Sequence, residues 1–317
     1  MNGRRFACFS LSAMLAGTAC TTTSLPLPSA PQLIAAAEQQ LESEQFDQAI
    51  ATLDPLIDFQ CPKRLRDQRD LIKAKALLGM GQPWYAYLEL EEFSLLYPHS
   101  DLRSQVVDTI WNAGKSLVDS DGGFLFFWND KRAGRVVLEH LVTRHPDTQR
   151  LADALRILGD MAFDNANYDL AQERYRDIIY TRPDSDWRFY AQYRLAMSIV
   201  ASLRGPDYDL NRMELAVGHL REFLNSKPEG PQMVEAATKA LLMIKQWQVK
   251  RHLDIADFYQ TLKNTEGQRY HLQLATRPAF DQVPGYEQAM ERRQKFESAN
   301  PAAATTTSPP MPTGGHP

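Results

Sequence analysis

The chain has 317 residues, 44% of them hydrophobic and 23% charged, and its formal net charge is −4. So mild an acidity serves solubility and leaves no footprint for nucleic acid. Nothing after residue 20 is apolar enough to span a bilayer, so the remainder is expected to form a soluble domain.

At the N-terminus Arg4 and Arg5 precede an apolar run from Phe6 to Ala16, the pattern of an export signal. Small residues then lead to a cysteine in Leu15-Ala16-Gly17-Thr18-Ala19-Cys20. This resembles a lipobox, with Gly17 where leucine is usual. On that reading residues 1–19 are a signal peptide and the Cys20 thiol is diacylated, with palmitate-type chains anchoring the protein at about 0.8 kcal/mol per buried methylene. Ordinary signal-peptidase cleavage near Ala19 is the competing reading. An uncleaved span is disfavoured, because roughly 20 apolar residues are needed. Thr21 rather than Asp follows Cys20, so an inner-membrane retention signal is absent. In a Gram-negative cell the expected location is then the outer membrane, on its periplasmic face. Cys8 and two arginines leave with the signal, taking the net charge from −4 to −6. Only Cys61 remains beside the lipidated Cys20, so no intramolecular disulfide is possible and packing alone must stabilise the fold. Cys61 reads as a buried small hydrophobe at a repeat junction.

Residues 20–30 form a Ser/Thr/Pro-rich lipidated spacer, and from 31 the chain repeats. The clearest unit runs from Ala152 to Pro183 in a frame of about 34 residues. Leu155, Leu158, Gly159 and Ala162 mark its first helix, and Ala171, Tyr175, Ile178 and Pro183 its second. Small residues let two antiparallel helices approach, large apolar ones fill the seam, and proline ends the pair. The same frame fits Leu33, Ala36, Ala37, Ala49, Leu53 and Leu56 in a first unit, with the turn at Glu44 to Phe46. It fits Ala74, Leu77, Gly81, Ala86, Leu90, Phe93 and Pro98 in a second. A third spans about Leu102 to Pro146, with Gly134, Leu138 and Leu141 on its second helix. A fifth holds Leu195, Ala196, Ile199, Ala216, Leu220, Phe223 and Pro228. A degenerate sixth begins with a long helix near Gln232. The expected fold is all-α: a TPR-like superhelical solenoid of about five to six antiparallel helix pairs over residues 31–297, with one elongated core.

Two units carry insertions, at 119–128 and 203–210. Asp119 and Asp121 lack the further ligands and terminal Glu of a calcium loop, so no metal is expected. The aromatic run Phe124 to Trp128 reads as a plug between repeats, or else as an exposed partner site. Residues 298–317 are Ala/Thr/Pro/Gly-rich and are expected to be a disordered tail. Seven histidines and many carboxylates form no recognisable catalytic constellation. No enzyme activity and no cofactor are therefore expected. Binding by the solenoid surface is the default.

From Pro183-Asp184-Ser185-Asp186-Trp187 through Ala191-Gln192-Tyr193-Arg194-Leu195-Ala196, and on through Pro206-Asp207-Tyr208-Asp209 to Lys227-Pro228, the chain resembles the BamD (YfiO) outer-membrane assembly lipoproteins. The helix His252 to Tyr259 is similar to that family's last repeat. The likeness covers roughly residues 20 to 280. It departs at the insertion 122–128 and at Asn264 to Gln273, where the usual turn is blurred. The resemblance implies a periplasmic, non-enzymatic part of the machine that inserts β-barrel proteins. Its fifth and sixth units would hold a barrel-type insertase, with Tyr193, Arg194, Asp207, Tyr208 and Asp209 as the partner-binding residues. Its N-terminal repeats would receive extended C-terminal segments of unfolded barrel proteins. The alternative is a general TPR lipoprotein scaffold for pilus assembly, polysaccharide export or envelope division.

In such a solenoid the first helix of each pair lines the concave wall. For the first two units the frame places Ile34, Glu38, Leu41, Leu71, Lys75 and Leu78 on it as peptide-binding residues. Apolar members would hold peptide side chains and polar ones its backbone or terminus. Lys75 would meet a terminal carboxylate, or else stand as a free surface lysine.

Overall fold

Apolar residues spaced three and four apart roll the chain into helices. The computed structural model describes residues 28–57, 60–120 and 130–301. Fourteen α-helices lie among them: α1 (Ala30–Glu42), α2 (Phe46–Leu53), α3 (Arg66–Gly79), α4 (Pro83–Leu90), α5 (Phe93–Leu96), α6 (Arg103–Asp119), α7 (Asp130–Arg144), α8 (Leu151–Asp164), α9 (Tyr168–Thr181), α10 (Arg188–Ser202), α11 (Leu210–Asn225), α12 (Pro231–Thr261), α13 (Thr265–Ala275) and α14 (Tyr286–Ala299). Local signals set the first start, where the Ser29 backbone N–H donates to Gln32 Oε1 at 2.8 Å in a capping box and proline opens the helix.

Consecutive helices pack in six pairs: α1 with α2, α3 with α4, α6 with α7, α8 with α9, α10 with α11, and α12 with α13. Each second helix then packs on the first helix of the next unit, α2 on α3, α4 on α6, α7 on α8, α9 on α10 and α11 on α12. That stacking makes a TPR-like solenoid. The second unit departs from the pattern, its second helix being broken between α4 and α5 at Glu91 and Glu92.

One turn recurs inside the pairs. In four units a residue at positive φ follows the first helix: Glu44 (58°), Gly81 (72°), Ala166 (56°) and Lys263 (55°). The next residue's N–H then reaches back into that helix. Gln45 donates to the Gln40 carbonyl at 2.8 Å, and Gln82 to Leu77, Asn167 to Ala162 and Asn264 to Tyr259 at 2.9 Å. This left-handed cap satisfies carbonyls the helix end would orphan. The segment from Asn264 to Gln273, blurred in sequence, is therefore the end of an ordinary repeat turn followed by α13. Of the four, only Gly81 is a residue type that favours the conformation. Ala166→Gly is expected to raise stability by about 0.5–1 kcal/mol, seen as a higher urea midpoint at unchanged slope. An unmoved midpoint would mean that Ala166 carries no strain.

The close-approach positions are as the frame predicts. A Cβ on Gly159 would lie 2.7 Å from the Tyr175 ring, so α8 and α9 meet there only because the side chain is absent. In the third unit Gly134 plays this part, since a Cβ there would lie 2.7 Å from Val118 and 3.0 Å from the Gly114 carbonyl.

Burial runs as five clusters in series along the solenoid, two of which meet at α8 and share Val142. Cys61, 2% exposed, packs in the first with Ile34, Ala37, Leu53 and Leu56. The long α12 serves two clusters. Its first half closes the fifth unit through Ala237, Ala240 and Ile244, and its second half packs Val249, Leu253 and Ala256 with Leu272, Phe280 and Phe296. Helix α14 continues to Ala299, two residues beyond the expected boundary. The signal 1–19, Cys20, the run Phe124 to Trp128 and the tail from 302 lie outside the described residues. No described helix is long and apolar enough to cross a membrane.

Candidate partner-binding site

The first helices leave a narrow strip open. Helix α3 is flanked by α1, α2, α4 and α6, which covers most of its circumference. On the strip that remains, Lys75 and Leu78 share a recess of about 450 Å³ with Gln105, Asp108, Thr109 and Asn112 of α6, together with Phe46 and Gly79. Lys75 Nζ donates to Gln105 Oε1 at 2.7 Å, so it is not a free surface lysine. Glu38 is exposed, and Leu41 is half-buried against the first cluster.

Ile34 and Leu71 do not reach this wall. They are core residues, 4% and 3% exposed, because the neighbouring helices close over the side of α1 and α3 that carries them. The wall residues that the sequence reading missed are Gln105, Asp108 and Asn112. Their spacing of three and four marks one face of a helix, but the insertion in the third unit hid the frame.

Further along, side chains strap one first helix to the next. Asp108 Oδ1 lies 3.8 Å from Arg150 Nε, and the Arg150 guanidinium stands 5.8 Å from the Trp111 ring centre. Trp187 Nε1 donates to Asp153 Oδ1 at 2.7 Å, and Arg156 lies over the Trp187 ring at 4.5 Å. Thus α3 is bridged to α6, α6 to α8, and α8 to α10.

Asp160 anchors the centre. Its Oδ1 accepts from the Tyr175 and Tyr190 hydroxyls, each at 2.7 Å, and its Oδ2 accepts from Arg156 Nη1 at 2.8 Å. Burial, and then the bond to Asp160, push both phenols well above the usual tyrosine range, so they stay neutral donors. Arg194 completes the set. Its Nε donates to the Tyr175 hydroxyl oxygen at 3.0 Å and stands 3.5 Å from Asp160 Oδ1, while its guanidinium lies over Phe163 at 3.9 Å. Arg194 is therefore neither solvated nor presented outward; its charge is neutralised between repeats.

The other C-terminal candidates also make internal contacts. Tyr193 is half-buried, its ring centre 5.6 Å from that of Phe223, and Tyr208 packs on the same cluster. Asp209 caps α11, its side chain accepting from the Asn211 N–H at 2.7 Å. Asp207 is exposed, with Oδ1 4.0 Å from Lys250 Nζ.

Four histidines sit in two pairs. His252 Nδ1 and His271 Nδ1 are 3.2 Å apart, so one ring donates and the other accepts. The rings of His140 and His145 lie 6.0 Å apart. Burial first, and then the neighbouring ring, push His145 down to about 4 and His252 down to about 3. Burial also lowers His140 and His271. Among the described residues no group of three or more His, Cys, Asp or Glu is placed to hold a metal ion.

No protein-family profile and no curated protein matches the chain. Among solved structures it is similar to the crystal structure of the P58(IPK) TPR domain, at 14% identity and a TM-score of 0.27, over 86% of this chain and 66% of that one. The match thus spans just under two thirds of that neighbour, and at that score it adds nothing to the helix pairs themselves. Paired helices, a shared turn and end-to-end stacking make the chain a TPR-like solenoid.

Proposed function

We propose that the chain is a periplasmic lipoprotein scaffold, held at the outer membrane through Cys20, that binds components of the β-barrel assembly machinery. Its insertase contact lies in the fifth and sixth units, and its N-terminal wall receives C-terminal segments of unfolded barrel proteins. The observation that best supports this reading is the recess on α3 and α6. There Lys75 donates to a neutral amide that a carboxylate can displace, forming a stronger charge-assisted bond. Leu78 beside it offers apolar surface to the preceding side chain of a peptide.

Peptides ending in an aromatic residue are expected to bind weakly, and Lys75→Glu to weaken them by about ten-fold or more. Fluorescence anisotropy measures this, with far-UV dichroism confirming an unchanged fold. Leu71→Glu is no binding probe, because Leu71 is core and a buried unpaired carboxylate there would unfold the unit. Equal affinity of parent and Lys75→Glu would take this recess out of the mechanism.

A further inference from the structure

We propose that the cleft between the first two units is a second membrane contact, lying on the phospholipid surface to which the N-terminal lipid tethers the chain. It rests on the lipid-anchored reading above for its orientation. The cleft has a volume of about 820 Å³ and is lined by α2 and the segment after it, by α3, and by α4 and α5. Three of its apolar side chains are exposed: Ile57 at 46%, Leu88 at 45% and Leu96 at 59%. Leu95, next in the chain, is 78% exposed. Three exposed aliphatic side chains on one cleft mark an interaction surface.

Charge and tether select the occupant. The cleft is lined by Lys63, Arg66, Arg69 and Lys73 against Asp54, Asp70 and Glu89, an excess of positive charge in a chain whose net charge is −4. Asp70 pairs with Arg69 at 2.6 Å and Glu89 with Lys73 at 2.8 Å, so two of the four cations are engaged with these acids and the excess is one positive charge. Helix α1 starts at Ala30, about ten residues after Cys20, so the spacer reaches at most about 35 Å even when fully extended. The start of α1, in the first of the two units that carry the cleft, is therefore held within that distance of the lipid. A bilayer surface supplies both halves of the match, acyl chain for the leucines and phosphate for the cations.

The test uses the mature chain from residue 20 with Cys20→Ala, so that no lipid contributes, and vesicles of phosphatidylethanolamine and phosphatidylglycerol. The protein is expected to co-sediment with the vesicles. The double variant Leu95→Glu/Leu96→Glu is expected to partition about ten-fold less or weaker still, and Lys63→Glu to flatten the salt dependence. Because these side chains are exposed, the dichroism spectrum should not change. Failure of the unlipidated parent to bind, or equal binding by the double variant, overturns the proposal. So does loss of insertase capture by the double variant without any vesicle binding, which would make the cleft a protein-binding surface. Palmitate labelling of the full-length protein separates the two readings. A labelled protein whose mature Cys20→Ala form ignores vesicles overturns this inference alone, whereas absence of label overturns the anchor.

Discussion

Replacing Asp160 with alanine is expected to destabilise the chain by about 3–5 kcal/mol, because one carboxylate serves two hydroxyls and two guanidinium groups. Its removal leaves the Tyr175 and Tyr190 hydroxyls without their acceptor, in surroundings that already hold both phenols neutral. It also leaves Arg194, 17% exposed at its side chain, without a counter-ion. Asp160→Asn keeps an acceptor oxygen and is expected to cost less than alanine. Urea unfolding gives both values, and a double-mutant cycle with Arg194→Leu isolates their coupling. A loss of under about 0.5 kcal/mol on Asp160→Ala would show that the network does not hold the fourth and fifth units together.

Acidification from about pH 7.5 to about pH 5 is expected to remove about 4 kcal/mol through His145 and His252, roughly half through each, with His140 and His271 adding in the same direction. His145 and His252 have a folded-state pKa below the ordinary 6.5, at about 4 and about 3. Above 6.5 both rings are neutral in either state and contribute no slope. As pH falls below 6.5 the unfolded chain binds protons that the folded one refuses, so stability declines. The decline ends near 4 for His145 and near 3 for His252, where the folded rings also become protonated. Exposures of 2% and 6% leave little solvent screening at either ring. Denaturant midpoints across this range test the effect, and His145→Gln/His252→Gln should flatten the curve between about pH 6.5 and 5. An unchanged slope in that double variant would place the acid-sensitive groups elsewhere.

The seam of the fourth unit was legible because its residues obey a helical period. Leu155, Leu158, Ala162, Ala171, Tyr175 and Ile178 are all buried, around the close approach at Gly159. The shared turn was legible in its place in the first unit, at Glu44 to Phe46, but not in its conformation. Glu44, Ala166 and Lys263 take a conformation their side chains disfavour, and packing on either side imposes it. The wall was legible only in part. Lys75 and Leu78 lie on it, but whether Ile34 and Leu71 face outward depends on which helices flank α1 and α3, a tertiary fact with no local signature. The Asp160 network is longer-ranged still, joining Asp160 to Tyr190, thirty residues away. Only the Arg156 and Asp160 pair, one turn apart, hinted at it.

Chemical cross-linking in intact membranes, followed by affinity capture of the lipidated full-length chain and quantitative mass spectrometry, tests the proposed role most directly. A barrel-type insertase is expected to dominate the captured proteins. Recovery of that insertase at no more than the level seen with an unrelated periplasmic lipoprotein would contradict the assignment to barrel assembly.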